Sequence, residues 1–170
     1  MPVYIALLRG INVGGAGILA MKDLIAMCGT LEFANSRTYI QSGNVIFDSG
    51  LEEAAVQHEL EKSLHAKMGK KIDVMIRTAA EMRAVLEVNP FSDKEPNKVA
   101  VFFLSGKPPA EELRGLLGPA GEKVSAGRRE IYVYYPEGMG RSKLKVPLAG
   151  ASATVRNINT VAKVAKLAEN

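Results

Sequence analysis

The stretch YIALLRGINVGG, residues 4–15, joins a strand-like apolar run to a polar loop that is rich in glycine. A short run with almost no polar residue, here Val3 to Leu8, is typical of a strand that is covered on at least one face. Arg9, Asn12 and a cluster of glycines follow it directly. Because a rigid strand positions the loop at its end, such junctions often carry ligand-binding side chains. The stretch therefore predicts a core strand with a polar site at its end, and it raises the expectation of a phosphate ligand.

Outward from this strand, apolar spacing and turn residues predict a β-α-β-β-α-β first half. Met21, Leu24, Ile25 and Cys28 have the spacing of a core-facing helical stripe. The serine-glycine-asparagine turn at 42–44 lies between two strand-like runs and predicts a hairpin. The predicted elements are strands at 3–8, 37–40, 45–47 and 72–76 and helices at 21–28 and 52–68. This is the order of a ferredoxin-like unit, in which helices cover one face of an antiparallel sheet.

The second half is predicted to repeat this order. Thr78 and Glu81 have the spacing of a capping box at the start of a linking helix. Residues 89–97 concentrate proline and polar residues and mark the boundary, so we expect halves at 1–88 and 98–170 within one compact unit. The predicted elements that follow are strands at 99–104, 122–125 and 131–135 and a short helix after Pro109. Element order and glycine placement together favour a tandem pseudo-repeat, an α+β fold of two ferredoxin-like halves with mostly antiparallel sheets.

The last segment, residues 155–168, is predicted to be a helix with Thr154 as its N-cap. Its apolar face would consist of Ile158, Val161, Ala162 and Ala165. Arg156 and Asn157 would then lie in the first turn, where a cation opposes the positive end of the helix dipole. A bound anion or a buried carboxylate would offset that repulsion.

The composition excludes several classes of protein. The chain has 170 residues, of which 47% are hydrophobic, as in an ordinary globular protein. No apolar run approaches the roughly 18 residues that span a bilayer, and the start lacks the pattern of a signal peptide, so a cytoplasmic protein is expected. Cys28 is the only cysteine, which excludes an internal disulfide and any multi-cysteine metal site. Its place on the helical stripe predicts a core residue.

The positive charge is concentrated near the end of the chain. The formal net charge is +4, and from Arg141 onward there are six basic residues and one acidic residue. Two interpretations stay open: an ordinary solvated surface, or a C-terminal segment that faces an anion.

The glycines of the opening stretch fit neither common nucleotide-binding motif. Gly10 and Gly15 have the gap of a P-loop, but Ala16-Gly17 occupies the position of the lysine and the serine or threonine. Gly15, Gly17 and Ala20 match the dinucleotide spacing, yet they lie too far beyond the strand. Turn flexibility explains these glycines, and no cofactor is predicted.

Residues for catalysis or metal binding are sparse. His58 and His65 lie on the side of their predicted helix away from its apolar stripe, where they would be solvated. No cluster of histidine, cysteine and aspartate has metal-ligand spacing, so no metal is predicted. Ser42 has no neighbouring base that would make it a nucleophile, which disfavours hydrolysis.

What is left is a set of amides, hydroxyls and cations, which bind ligands better than they catalyse reactions. Arginine offers a bidentate fork to phosphate or carboxylate, and amides pair with hydrogen-bonding edges such as those of nucleobases. Gly138, Gly140 and Ser142 form a second glycine-rich segment that could present backbone N–H groups to an anion. The predicted ligand-binding residues are Arg9, Asn12, Gln41, Ser42, Asn44, Ser142, Lys143, Arg156, Asn157 and Asn159.

Several stretches together resemble the bacterial family called domain of unknown function 1697 (DUF1697). They are YIALLRGINVGG at 4–15, TYIQSGNVIF at 38–47, NPF at 89–91, GRSKL at 140–144 and RNINTV at 156–161. The resemblance runs along essentially the whole chain and implies tandem ferredoxin-like units, but no activity. The family usually has tryptophan where Ile158 stands here, so the resemblance does not extend to an indole that could stack on a base.

Three functional hypotheses follow. The preferred one is a binding module for a phosphate-bearing or other anionic ligand, either a nucleotide or a nucleic acid. Aromatic residues are only 6% of the chain, which argues against a broad stacking platform. The second is a small-molecule enzyme in which Arg9 and Arg156 stabilise charge. The third is a structural or protein-interaction domain.

Overall fold

The computed structural model describes residues 1–12, 18–40 and 42–169. Within these residues the chain forms two four-stranded antiparallel sheets and five α-helices, which confirms the α+β class and the pseudo-repeat of two similar halves. The chain divides into two compact units. The first consists of Met1–Arg83 and Lys163–Asn170, and the second of Ala84–Ala162.

The first unit contains four strands and two complete helices. They are β1 (Val3–Leu8), α1 (Met21–Thr30), β2 (Ala34–Tyr39), β3 (Asn44–Asp48), α2 (Glu53–Met68) and β4 (Val74–Thr78). The strand order is β2-β3-β1-β4, and every neighbouring pair is antiparallel. The predicted hairpin is therefore β2 paired with β3.

The helices α1 and α2 cover one face of this sheet. Tyr4, Ala6 and Leu8 of β1 belong to the same buried cluster as Leu24 and Cys28 of α1. The intervening residues of β1 are also buried. Burial on both faces explains why this strand is an unbroken apolar run. Cys28 is confirmed as a core residue.

A linking helix, α3 (Ala79–Glu87), follows β4 directly and begins with the predicted capping box. The hydroxyl of Thr78 accepts a hydrogen bond of 3.1 Å from the N–H of Glu81, and the carboxylate of Glu81 accepts one of 2.9 Å from the N–H of Thr78. Two N–H groups that the helix itself leaves without a partner are thus satisfied.

The second unit repeats the strand arrangement with different connections. Its elements are β5 (Val99–Leu104), α4 (Ala110–Leu113), β6 (Lys123–Ala126), β7 (Glu130–Tyr134), β8 (Ala153–Asn157) and the start of α5 (Ile158–Ala168). The strand order is β6-β7-β5-β8, again antiparallel throughout. Residues 135–152, between β7 and β8, form an irregular connection with one 3-10 turn, Met139–Arg141. Leu144, Val146 and Leu148 of this connection pack on the core of the sheet, where the first unit uses the helix α2.

The predicted helix over residues 155–168 is wrong at its start. Residues 153–157 form the strand β8, which pairs with β5 from Ala153 opposite Leu104 to Asn157 opposite Ala100. Thr154 and Val155 are β-branched and suit a strand, and the pairing satisfies backbone groups that an isolated first turn would leave free. Thr154 is consequently not an N-cap, and Arg156 is not in a helix.

The expected apolar face of the last helix also needs one correction. Ala162 is exposed, whereas Val164 is buried together with Ile158, Val161 and Ala165. Ile158, Val161 and Ala165 keep the predicted spacing, and Val164, three residues after Val161, takes the place of Ala162 on the buried face. Among the described residues, none of the helices is long and apolar enough to cross a bilayer.

Candidate functional site

Arg9 lies just beyond the end of β1 and is tied to the segment before β4. Its backbone N–H donates a 3.0 Å hydrogen bond to the carbonyl of Asp73, and its guanidinium lies 3.3 Å from the Asp73 carboxylate. The carboxylate of Asp73 is also 3.7 Å from the ammonium group of Lys71. The Arg9 side chain is 53% exposed, so this ion pair contributes little to stability.

The side chain of Asn12 is bound to Leu19, just before α1. Its side-chain amide donates a 2.9 Å hydrogen bond to the carbonyl of Leu19, and its side-chain oxygen accepts one of 2.8 Å from the N–H of Leu19. Its backbone is left-handed, with φ of 56°, a conformation that asparagine tolerates better than most residues. Gly15 and Gly17, whose spacing was compared with nucleotide-binding motifs, lie outside the described residues.

The β2–β3 turn is similarly held together by its own polar residues. Asn44 is completely buried, and its side-chain amide donates to the carbonyl of Tyr39 at 2.9 Å and to the hydroxyl of Ser42 at 3.0 Å. Asn44 also pairs with Leu7, which brings this turn to the end of β1 that carries Arg9. Gln41, also predicted for the site, lies outside the described residues.

Arg156 is buried in β8 rather than displayed to a ligand. The side chain donates to the hydroxyl of Thr154 at 2.7 Å and to the carbonyl of Val155 at 3.0 Å. Burial lowers the pKa of Arg156 to about 10, so the guanidinium stays charged at neutral pH. Arg77 occupies the matching position, one residue before the end of β4, and donates to the carbonyl of Ile76 at 2.8 Å. The sequence pattern did not single out Arg77, because nothing in an arginine before a helix start shows that it is buried.

Ser142 anchors the irregular connection to the segment before β6. Its hydroxyl donates a short hydrogen bond to the buried carboxylate of Glu122, which also accepts one of 2.7 Å from the N–H of Ala120. The hydrogen bond from Ser142 lowers the pKa of Glu122, and bonds from backbone N–H groups add to this effect. Lys143, the next residue, is exposed.

Asn157 connects β8 to the start of α5. Its side-chain oxygen accepts a 2.8 Å hydrogen bond from the N–H of Asn159, and its amide donates one of 3.2 Å to the carbonyl of Asn97. Asn157 therefore acts as the N-cap that the sequence had assigned to Thr154. The residue Asn159 is exposed in the first turn.

Beside Asn159 the second unit has an open cavity of about 210 Å³, which we call the Lys94 cleft. Its apolar lining consists of Leu86, Phe91, Pro96, Val99, Ile158 and Ala162. Its polar lining consists of Asn89, Ser92, Lys94 and Asn159. An apolar surface with a few polar groups is the usual composition of a small-molecule site.

Several polar side chains of the Lys94 cleft have hydrogen-bonding groups that no described residue uses. Asn89 uses its side-chain oxygen to accept a 3.0 Å hydrogen bond from the N–H of Phe91, but its amide NH₂ bonds to no described residue. The side chains of Ser92 and Asn159 likewise form no hydrogen bond with the part of the chain that the structure describes. The ammonium group of Lys94 lies 5.4 Å from the ring centre of Tyr134 and 3.9 Å from the carboxylate of Asp93.

Most of this cleft was missed by reasoning from the sequence. Asn159 is the one predicted ligand-binding residue that lines it. The NPF motif at 89–91 and Lys94 lie in the segment that sequence composition marked as a boundary, and NPF contributed only to the family resemblance. The available signal was the loop character of this segment, because loops positioned by a rigid scaffold often carry binding residues.

The titratable groups outside the cleft do not suggest acid–base or metal chemistry. Burial raises the pKa of the Cys28 thiol to about 12, and His58 and His65 are exposed, as predicted. Among the described residues, no group of three histidines, cysteines or acidic residues could hold a metal ion.

A model of a protein family of unknown function, DUF1697, matches residues 1–132. The chain belongs to the DUF1697 family. The matched range includes the opening stretch, the β2–β3 hairpin and the NPF motif, whereas the RNINTV stretch lies beyond it. No curated protein matched this DUF1697 sequence.

Among solved structures, the DUF1697 chain is similar to the conserved bacterial protein SP0830 from Streptococcus pneumoniae. The two sequences are 21% identical, the match covers 98% of each chain, and the TM-score is 0.79. Likeness at this level of identity shows the shared fold alone. Neither comparison attaches an activity to this DUF1697 fold.

Proposed function

We propose that the protein is a binding module for a small phosphate-bearing or other anionic ligand, held in the Lys94 cleft. The main supporting observation is the polar lining of the cleft, where the ammonium group of Lys94 lies with the side chains of Asn89, Ser92 and Asn159. These three side chains have hydrogen-bonding groups that no described residue uses, and the rest of the lining is apolar. Polar groups at a cavity normally find partners, and here a ligand can supply them.

The size and lining of the cleft restrict the ligand. A volume of about 210 Å³ is below the roughly 300 Å³ at which pockets for drug-sized molecules begin, so the bound part is no larger than a nucleobase, a sugar or an amino acid. Phe91, Val99 and Ile158 offer an apolar contact, while Asn89 and Asn159 can pair with a polar edge. Lys94 would carry the attraction for the anionic group. A mononucleotide whose base or sugar enters the cleft, with its phosphate at Lys94, fits this combination.

The test is a binding screen at low salt. Wild-type protein and three variants, Lys94→Ala, Asn159→Ala and Lys107→Ala, are titrated with nucleoside monophosphates, diphosphates and sugar phosphates by calorimetry. Lys107 is exposed, lies in the second unit and does not line the cleft, so its variant is the matched charge control. Lys94→Ala should weaken binding at least about tenfold, because a hydrogen bond to a charged group contributes about 1.5–3 kcal/mol.

Two results would remove this proposal. One is that no compound of the panel stabilises or binds the wild-type protein. The other is that Lys94→Ala and Lys107→Ala weaken binding equally, since that would trace the effect to net charge and not to the cleft.

We also infer a cytoplasmic bacterial protein built from two ferredoxin-like halves, with the boundary between residues 88 and 98. The β2-β3-β1-β4 order with antiparallel neighbours supports the ferredoxin-like halves. The bacterial origin of the structurally similar SP0830 supports a bacterial source. A single, buried cysteine is typical of a reducing compartment.

A further inference from the structure

Asn89 lines the Lys94 cleft with a side chain that the chain itself already binds at one end. Its side-chain oxygen accepts a 3.0 Å hydrogen bond from the N–H of Phe91, two residues later. A backbone N–H can donate only to the oxygen of an amide, so this bond fixes which end of the amide faces the turn. The NH₂ group lies at the other end of the planar amide. Asn89 therefore presents hydrogen-bond donors to the cleft that it lines.

The backbone on both sides of Asn89 holds this orientation. The N–H of Asn89 donates to the carbonyl of Leu86 at 3.3 Å, and the N–H of Lys94 donates to the carbonyl of Phe91 at 3.0 Å. The side chain of Phe91 is buried and lies 6.1 Å from the ring of Tyr134, measured between ring centres. A ligand therefore meets a donor that is already ordered, which lowers the entropic cost of binding.

Asn159, the other amide of the cleft, is not fixed in this way. Its backbone N–H donates to the side-chain oxygen of Asn157 at 2.8 Å, but its own side chain bonds to no described residue. Asn159 can therefore turn either its oxygen or its NH₂ group toward a ligand. Of the two amides, Asn89 is the one whose orientation can discriminate a ligand acceptor from a ligand donor.

Asn89 and Lys94 face different parts of a bound ligand. The ammonium group of Lys94 lies 5.4 Å from the ring centre of Tyr134 and 3.9 Å from the carboxylate of Asp93, and neither of these two residues lines the cleft. Asn89 instead follows Leu86, which belongs to the apolar lining. We therefore expect the anionic group on the side of Lys94 toward Tyr134, and the ring that fills the apolar part of the cleft beside Asn89.

We propose that Asn89 is a specificity-determining residue, which selects a ligand ring that carries an oxo group over the same ring with an amino group. The inference rests on the proposed function, because it specifies the ligand of that site. An oxo oxygen accepts a hydrogen bond from the NH₂ of Asn89, whereas an amino group places donor against donor and leaves both without a partner. Sites that form hydrogen bonds with a substrate discriminate against analogues that cannot form them.

The experiment uses two pairs of nucleotides in which an amino group replaces an oxo group and the ring nitrogen beside it loses its proton. One pair is inosine and adenosine monophosphate, and the other is uridine and cytidine monophosphate. Calorimetry at low salt gives the ratio of the two dissociation constants within each pair. The phosphate is common to both members, so its contribution cancels in this ratio.

Three proteins are compared: the wild type, Asn89→Asp and the control Asn97→Asp. Asn89→Asp keeps an oxygen for the N–H of Phe91 but replaces the NH₂ group by a second acceptor. Asn97→Asp introduces the same charge at an exposed residue of the second unit that does not line the cleft. Circular dichroism verifies that both variants fold.

The wild type and Asn97→Asp should bind the oxo member of each pair at least about fivefold more tightly, and Asn89→Asp should lose or reverse this preference. Equal affinity for both members in the wild type, or the wild-type ratio in Asn89→Asp, would overturn the inference while the proposed function stands, since the nucleotides would still bind. If none of the four nucleotides binds the wild type, the proposed function and the inference both fail. If Asn89→Asp does not fold, the ratio measured with the wild type decides.

Discussion

Asn12 combines a left-handed backbone with two side-chain hydrogen bonds to Leu19, which tie it to the segment just before α1. Polar residues in a glycine-rich loop are natural ligand-binding candidates, but a loop must first satisfy its own backbone groups. The short amide side chain of asparagine can form hydrogen bonds with nearby backbone groups, as in other turns that asparagine stabilises.

Asn12→Ala should lower the free energy of unfolding by about 1–3 kcal/mol, because both bonds are lost and alanine tolerates φ of 56° less well than asparagine does. Asn12→Asp keeps the acceptor oxygen and should lose less. Urea denaturation of the three proteins measures the difference. Equal stability of the wild type and Asn12→Ala would show that the loop does not depend on this side chain.

Gly43 is the glycine of the β2–β3 turn at which both backbone and space are restrictive. Its φ is 86°, and an added Cβ would lie 2.8 Å from the Cδ1 of Ile11 and 2.9 Å from the Cβ of Leu8. Gly69 has a similar φ of 74° at the end of α2, but nothing lies within 4 Å of its added Cβ. Comparing alanine substitutions at these two glycines therefore separates the cost of backbone strain from the cost of steric overlap.

Gly43→Ala should lower the free energy of unfolding by about 2–4 kcal/mol, since strain and overlap act together. Gly69→Ala should cost only about 1 kcal/mol from strain. Denaturant unfolding of the pair provides the comparison. A cost for Gly43→Ala no larger than that for Gly69→Ala would mean that Ile11 and Leu8 move aside freely.

At the level of elements, the irregular connection between β7 and β8 shows that two sheets with the same strand arrangement can be covered in different ways. The first unit covers a face of its sheet with α1 and α2, whereas the second uses an irregular segment that contains Leu144 and Val146. A segment outside helices and strands has few backbone hydrogen bonds of its own, so it relies on anchors such as that between Ser142 and Glu122.

This anchor should make stability depend on pH in acid. The Ser142 hydrogen bond holds the pKa of Glu122 below its usual value in the folded state. Its contribution is therefore complete above the glutamate pKa of the unfolded chain and is lost as the pH falls through the lowered pKa of the folded state.

Ser142→Ala should accordingly lower the melting temperature at neutral pH, and its deficit should shrink as the medium is acidified. Glu122→Gln removes the titrating group and should flatten the same part of the acid profile. Calorimetric melting curves between about pH 7 and pH 3 test both variants. A deficit for Ser142→Ala that is the same at every pH would contradict the assignment.

At the scale of the whole molecule, the reactivity of the Cys28 thiol reports how often the core of the first unit opens. The side chain is completely buried in the core of the first unit, and burial raises the pKa of its thiol to about 12. Because the thiolate is the reactive form, labelling requires the core to open.

Native protein should therefore react with a thiol reagent at least about a hundredfold more slowly than protein unfolded in urea, as expected for an opening that costs a few kcal/mol. Ellman's reagent under both conditions measures the ratio. The chain has one cysteine, so the signal has one source. Equal rates would show that the thiol is accessible in the folded protein.

Local patterns in the sequence were sufficient for most of the elements. The runs at 3–8 and 99–104 are strands with those bounds, and the capping box at Thr78 and Glu81 forms as predicted. Each of these signals depends on neighbouring residues along the chain, through side-chain periodicity or short-range hydrogen bonds. The α+β class followed from their order.

Long-range contacts settled the features that the sequence left open. Residues 153–157 became a strand because β5 offers an edge about 50 residues earlier in the chain, and no local pattern records that partner. Likewise, the Lys94 cleft combines residues from 86–99 with the start of α5, and Arg156 is buried by packing. Burial and pocket formation depend on which distant segments meet. The opening stretch therefore revealed a core strand, whereas the role of Asn12 emerged only from its contact with Leu19 in the folded loop.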